Sequence, residues 1–312
     1  MKNKSIAREG LVFSVIYILL LYTTIFVPAI ELITIFFLPI PFVYFTSKHG
    51  LKRGISFFII NLLVVSLFIA VLSIPFTILA GLGGTLIGLA IHEKLSAYET
   101  WARGTLGFVL GLVSIFVFIQ LFFGINVINE FNETISESVE MSQDILSNFG
   151  LEPTASELEM IEEQMLQVIQ LIPVFLVIIA MIIGFLTQWL SYKLLNRKDK
   201  LGLKFPPFRN FKLPKVVIWI YFIAILLTWL QFEQGTFTYQ GVINVTNLTA
   251  VLITLQGFSF ILYYVYIKKL SKVIPVIAII MCILFPFMGL YMIRILGIID
   301  LGFSLRERIE KK

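Results

Sequence analysis

Long runs of apolar residues alternate with short charged segments along the whole chain. A run of about eighteen or more residues with few charges is long enough to cross the hydrocarbon core of a bilayer as a helix. The pattern therefore predicts an all-α, polytopic transmembrane helical bundle with roughly 8–10 spans. The runs lie at about 11–28, 30–46, 55–73, 75–91, 105–125, 166–192, 216–232, 242–267 and 273–305.

Proline interrupts two of these runs. Pro39 and Pro41 lie inside the second run, where proline removes a backbone donor and clashes with the preceding turn, so a kinked or broken span is expected. Pro286 divides the last run, 273–305, which would form either one long span or two short ones. We expect two, because a second crossing returns the basic tail to the side of the other basic segments. The basic residues of this tail are Arg306, Arg308, Lys311 and Lys312.

The composition is that of a membrane protein. Of the 312 residues, 58% are hydrophobic and 14% are charged, whereas a soluble domain has about 45–50% apolar and about 25% charged residues. The net charge of +5 does not indicate nucleic-acid binding, because the basic residues lie in short loops beside the spans. The sequence therefore predicts one integral membrane domain over 1–312, with the lipid bilayer as its partner and no nucleic acid.

The segment 126–165 is an acidic hairpin between spans five and six. It holds ten of the 19 Asp and Glu residues, and no Lys or Arg occurs from Gly104 to Ser191. Apolar residues recur at helical spacing on both sides of Gly150, which predicts two helices. Because basic loops stay in the cytoplasm, we expect this hairpin to be extracytoplasmic. The same rule places the N-terminus in the cytoplasm. We expect the multi-pass chain to lie in the cell (plasma) membrane.

The loop 193–215 is the most basic segment, with eight Lys and Arg residues, one Asp, and interleaved Phe and Pro. Cytoplasmic retention together with contact to anionic lipids explains this charge. The alternative is that the loop docks a coupling protein or another cytoplasmic partner. The candidate contact residues are Arg197, Lys198, Lys204, Arg209 and Lys212.

Clustered glycines suggest a nucleotide-binding loop at first sight, but Leu86 stands where the dinucleotide fingerprint needs its third glycine. Small residues four apart instead let helix backbones approach closely within lipid. We therefore interpret them as helix-packing residues on consecutive spans. The two motifs are Gly84 with Gly88, and Gly107 with Gly111.

Four uncharged amide side chains lie toward the outer ends of spans: Gln120, Gln170, Asn244 and Asn247. Unsatisfied amides are disfavoured in hydrocarbon, so they should turn inward. We expect them to line one ligand-binding pocket that opens outward. The alternative is that each makes a separate interhelical hydrogen bond, which contributes about 0.6 kcal/mol.

Charged residues also occur in apolar runs. A central Arg costs roughly 2.5–3.5 kcal/mol on insertion scales. Arg294 in the last run is therefore expected to pair with Glu31 or Asp300, or to reach lipid headgroups.

No pattern of residues indicates catalysis. His92-Glu93 is not followed by a second His at the spacing of a zinc-binding helix, and no nucleophile–base pair is recognisable. We therefore expect no metal site, no cofactor and no enzymatic activity.

Several short motifs in this order resemble the YybS-like family of bacterial membrane proteins. They are Leu38-Pro-Ile-Pro-Phe42 with Lys48-His-Gly50, Gly81-Leu-Gly-Gly84, Phe205-Pro-Pro-Phe208 with Leu213-Pro214, Asn244-x-x-Asn247 with Gln256-Gly257, and Gly297-Ile-Ile-Asp300 before Arg306.

That family looks related to the S components of energy-coupling-factor transporters, helical bundles that bind vitamins from outside. The resemblance implies a transporter-like binder of a small solute. The Ala-x-x-x-Ala docking motif of those proteins has only Gly10-x-x-x-Ser14 as its nearest equivalent here. The second hypothesis is a membrane scaffold or regulator that engages a partner through 193–215.

Overall fold

A computed structural model describes residues 2–69, 71–151 and 154–310. The described residues form helices and contain no β-strand, which confirms the all-α prediction. The helices are α1 (Lys2–Phe26), α2 (Glu31–Thr34), α3 (Ile40–His49), α4 (Leu51–Phe68), α5 (Ser73–His92), α6 (Ala97–Phe123), α7 (Val127–Asn148), α8 (Ala155–Ile169), α9 (Ile172–Asp199), α10 (Val216–Thr228), α11 (Phe237–Ile267), α12 (Val273–Leu284), α13 (Pro286–Phe303) and α14 (Leu305–Glu310).

Within the described ranges, seven helices are long and apolar enough to cross a membrane: α1, α4, α5, α6, α9, α11 and α13. The apolar helices α10 and α12 are shorter. The chain is therefore a multi-pass helical membrane protein, as its hydropathy pattern predicts. It divides into two compact units, the first formed by 1–169 with 175–205 and the second by 170–174 with 206–312. That the two units act as one membrane domain stays a prediction.

In the first unit, the short helix α3 lies among α1, α4 and α5. Its residues 41–46 are all buried. Helix α2 ends at Thr34 and α3 begins at Ile40, so the second apolar run is broken beside Pro39 as predicted. At 10 residues, α3 is about 15 Å long at roughly 1.5 Å per residue, too short to cross a bilayer alone. The first unit therefore encloses a half-length helix.

The glycines of α5 and α6 allow two different close approaches. A Cβ atom at Gly84 would lie 2.5 Å from the Pro39 carbonyl oxygen, and one at Gly88 would lie 2.6 Å from that of Val43. Gly84 and Gly88 therefore face α3. A Cβ atom at Gly107 would lie 2.8 Å from the Leu82 carbonyl oxygen, so this glycine faces α5, as does Gly111.

Helices α7 and α8 form the acidic segment, which belongs to the first unit. Asn126 caps α7 by accepting hydrogen bonds from two backbone N–H groups, and Gly150 follows the helix at φ 75°. Ser136 donates to Glu162 at 2.6 Å, which links the two helices. The extracytoplasmic position of this hairpin stays a prediction.

The second unit is built on the crossing of α11 and α13, with α10 packed against α11. A Cβ atom at Gly257 would overlap the Ile293 carbonyl group, and one at Gly297 would overlap that of Ile253. The two backbones therefore touch, as in close small-residue crossings in membranes. Chain reversal at Phe285–Pro286 separates α12 from α13, so the last apolar run forms two helices. That both of them cross the membrane stays a prediction.

Candidate functional site

A buried ion pair lies at one end of the second unit. Asp300, near the end of α13, is 3% exposed, and Arg306 in α14 is 7% exposed. Ser304 adopts a left-handed conformation (φ 49°) between the two helices, and this turn brings α14 back toward α13. The Arg306 Nε atom donates to Asp300 Oδ2 at 2.9 Å. Neither charge is left unpaired, as burial requires.

Two polar residues of α11 complete this buried network. Gln256 donates from Nε2 to Asp300 Oδ2 at 2.5 Å, and its Oε1 atom accepts the backbone N–H of Leu213 at 2.9 Å. One turn further along α11, the Ser259 hydroxyl accepts a hydrogen bond from Arg306 Nη2 at 3.1 Å. Gln256 and Ser259 are fully buried.

The network holds the polypeptide segment 206–213, which we call the strapped loop. Arg306 Nη1 donates to the Arg209 carbonyl oxygen at 2.8 Å. The Ser259 hydroxyl lies 2.8 Å from the carbonyl oxygens of both Phe208 and Phe211. The single Ser259 proton can be donated to only one of these two carbonyls at a time. The loop is thus fixed through the Arg209 carbonyl, through the Phe208 or Phe211 carbonyl, and through the Leu213 N–H. These side chains provide hydrogen-bond partners for backbone groups of the loop that would otherwise need water.

The exposed rim of the loop is basic. The Arg209 guanidinium stacks 3.8 Å above the Tyr266 ring, and Lys212 pairs with Glu307 at 3.0 Å. Both partners of the second pair are well exposed, so it contributes little to stability. Stacking instead fixes the direction of the Arg209 side chain.

The first unit also gathers polar residues at one end. Glu9 of α1 binds Lys48 at 2.6 Å and His49 at 3.2 Å, both at the end of α3. The hydrogen bond that Lys48 donates to the Glu9 carboxylate raises the pKa of Lys48. The His92 ring lies 2.9 Å from the Ser47 carbonyl oxygen, so the end of α5 lies there too.

Lys198, near the end of α9, reaches the same end of the first unit. Its ammonium group lies 5.3 Å from the Phe13 ring centre and 5.2 Å from that of Tyr44. The basic ends of α3, α5 and α9 therefore share one end of this unit. That this end faces the cytoplasm stays a prediction. Arg197 and Lys204 are exposed.

The four amides of the predicted pocket fall in both units. In the second unit, Asn244 donates to the Gln170 carbonyl oxygen at 2.8 Å, which joins α11 to the residues before α9. Asn247 is exposed and donates to Ile243 of its own helix at 2.9 Å. Gln120 belongs to the first unit and is exposed. The shared pocket stays a prediction.

One expected ion pair is wrong. Asp300 pairs with Arg306 and not with Arg294. The reason is the turn at Ser304, which places the following Arg beside the carboxylate. The Arg294 Nε atom is buried and has no hydrogen-bond partner among the described residues.

A profile of the DUF2232 family of predicted membrane proteins matches residues 15–301. The chain belongs to this family. It is also 30% identical over 312 residues to the "uncharacterized protein YybS" of Bacillus subtilis (strain 168), a match that covers 99% of this chain and 100% of that protein. No solved structure matches the chain. The YybS-like resemblance is therefore confirmed, whereas the relation to S components is not shown by these matches.

Family membership describes a membrane protein and names no ligand. The region matched by the family profile contains Gln256, Ser259 and Asp300, and the match to the full-length relative also extends over position 306. Among the described residues, no three His, Cys, Asp or Glu side chains come together in a way that would hold a metal ion. The buried network is suited to hold the backbone of the strapped loop in one conformation, because its side chains donate to loop carbonyl groups and accept from a loop N–H group.

Gln256 and Ser259 were not predicted from the sequence as site residues. Both lie on one face of α11, three residues apart, in a run whose other buried residues are mostly apolar. The sequence does show an amide and a hydroxyl three residues apart in one apolar run and an Asp in another. Polar and acidic residues within predicted spans could have indicated a buried site here.

Proposed function

We propose that this protein is a membrane-embedded scaffold that presents the strapped loop to a partner protein. The observation that supports the proposal is the attachment of the loop: buried side chains of α11 and α14 bind the Arg209 carbonyl, the Phe208 or Phe211 carbonyl, and the Leu213 N–H group. Cytoplasmic retention needs only positive charge, and not a fixed backbone. A fixed loop is what a docking surface requires, because a preordered surface loses less entropy on binding.

The surface of the loop defines the partner's chemistry. Phe208 is partly exposed and stacks on Phe211, and Arg209 and Lys212 lie beside it. Lys268 and Lys269 follow the end of α11, which carries Tyr266 beneath Arg209. An aromatic and basic surface suits an acidic protein segment that also carries apolar residues.

The test is site-specific photo-crosslinking in intact cells. A photo-crosslinking amino acid at Asn210, which is exposed in the loop, should trap one defined protein. The matched control is Gln240, an exposed residue of α11 far along the chain from the loop, which should not trap it. Arg306→Gln should reduce the crosslink at Asn210 while the protein still inserts in the membrane. If Asn210 yields only lipid adducts, the scaffold proposal is wrong.

A second candidate function is a transporter-like binder of a small solute, similar to an S component. One observation favours it: the Oδ1 atom of Asn244 is buried and has no hydrogen-bond partner among the described residues, while its amide nitrogen is held by Gln170 and Gln240. This leaves an oriented acceptor for a neutral polar ligand. Both proposals assign binding without catalysis.

Thermal-shift screening separates the two proposals. A true ligand among vitamins or nucleobases should raise the melting temperature of the purified protein. Asn244→Ala should abolish that rise, whereas Arg306→Gln should leave it. No shift with any solute, together with a defined crosslink at Asn210, would favour the scaffold.

A further inference from the structure

A groove runs along the surface of the first unit between α1 and α4, next to α3. The groove is open on one side and has a volume of about 450 Å³, within the usual range of about 300–1,000 Å³ for small-molecule sites. Most of its lining is apolar. The lining includes Gly10 and Ser14 of α1, and Arg53, Ser56 and Ile60 of α4.

The groove has one polar end. Arg53 belongs to the first turn of α4, and apolar residues begin directly afterwards at Ile55. Arg53 to Ile60 spans seven residues, or about 10 Å of helix. Arg53 therefore lies where a basic residue meets the lipid headgroups, and the apolar part of the groove extends into the hydrocarbon layer.

Within the described part of the chain, no acidic side chain pairs with the cation at this end of the groove. Arg53 is exposed and forms no ion pair among the described residues. The first turn of α4 contains no acidic residue and has no side-chain cap, so the partial positive charge of the helix end adds to that of Arg53. Lys4 lies one turn before Ala7, a residue of the groove wall, on the same side of α1.

We propose that this groove binds one anionic phospholipid, with its phosphate at Arg53 and Lys4 and one acyl chain along Gly10 and Ser14. The acyl chain alone gives no preference over surrounding lipid, because lipid tails are as apolar as the groove wall. Selectivity must come from the unpaired cations. This charge complementarity favours an anionic lipid over a partner helix, which would bring an apolar surface to Arg53.

The test is lipid binding to the purified protein, measured by native mass spectrometry. The three probes are phosphatidylglycerol, phosphatidylcholine and glycerol 1-phosphate, which is the headgroup without chains. Wild type should prefer phosphatidylglycerol and should not retain glycerol 1-phosphate. Arg53→Gln should weaken phosphatidylglycerol binding about fivefold, the effect of one basic residue at an anionic membrane surface.

Two further variants make the test specific. Lys94→Gln removes one exposed cation near the same end of the first unit, outside the groove, and should leave binding unchanged. Ser14→Phe should fill the groove and reduce retention of phosphatidylglycerol without changing the charge. Equal effects of Arg53→Gln and Lys94→Gln would overturn the proposal. A second result would also overturn it: wild type shows no preference between the two lipids, and a co-purified protein is bound to wild type but not to Ser14→Phe. That result would assign the groove to a partner helix.

Discussion

Replacement of Arg306 by Gln should release the strapped loop. The Arg306 side chain donates to Asp300 at 2.9 Å, to the Arg209 carbonyl at 2.8 Å and to Ser259 at 3.1 Å. A neutral amide is shorter and cannot make all three bonds. It also leaves the Asp300 carboxylate buried without its counter-ion, which costs about 3–5 kcal/mol. This far exceeds the average of about 0.6 kcal/mol for a hydrogen bond between membrane helices.

Limited digestion with trypsin in detergent measures this effect directly, because Arg209 and Lys212 are cleavage sites within the loop. When opening is fast relative to cleavage, the cleavage rate follows the population of the open loop. A loss of about 3 kcal/mol corresponds to more than about a hundredfold increase in that population. Arg306→Gln should therefore accelerate cleavage after Arg209 by about this factor.

Two controls define the result. Glu307→Gln breaks the exposed pair with Lys212 and keeps both cleavage sites, so it should change the rate by less than about fivefold. Asp300→Asn combined with Arg306→Gln should open the loop less than the sum of the single variants, because it removes both buried charges. Cleavage of Arg306→Gln at the wild-type rate would refute the claim that the network holds the loop.

Two other predictions concern packing and orientation. Gly84→Leu and Gly111→Leu should each lower the melting temperature in detergent. The added side chain would meet backbone atoms, and such overpacking costs about 1–3 kcal/mol. The control is Gly241→Ala, which has open space around its Cβ position and should leave the melting temperature unchanged. With Cys282 replaced, a cysteine at Ser138 should react with an impermeant reagent outside intact cells, and one at Lys200 should react only after permeabilisation; the opposite pattern would reverse the assigned topology.

The main features of the fold were predictable because each rests on local sequence. Apolar runs, Pro39 and Pro286 determine where helices form and end, and these rules act within a few residues. The second unit's closest crossing was not predicted, although Gly257 and Gly297 are visible in the sequence. They lie 40 residues apart on different helices, and no local rule states which small residues meet.

The site shows the same difference between local and distant information. The sequence offered Asp300 as one possible partner of Arg294, which lies on the same helix. Asp300 instead pairs with a residue of α14. The true partner, Arg306, is brought close by a turn at Ser304, where a non-glycine residue takes a left-handed conformation (φ 49°). Such residues are uncommon at this conformation, so the turn was not predictable from residue type.

The buried ion pair is better explained by specificity than by stability. Replacing such a pair with well-packed apolar residues is often neutral or stabilising, so Asp300 and Arg306 are not needed to keep α11 and α13 together. Their glycines and apolar side chains already do so. What apolar residues cannot do is bind backbone carbonyl groups, and the carbonyl groups of Phe208, Arg209 and Phe211 are the ones that the network engages. The network therefore costs desolvation free energy and in return holds the loop in a single conformation. The surface that this conformation presents is where a partner should be sought.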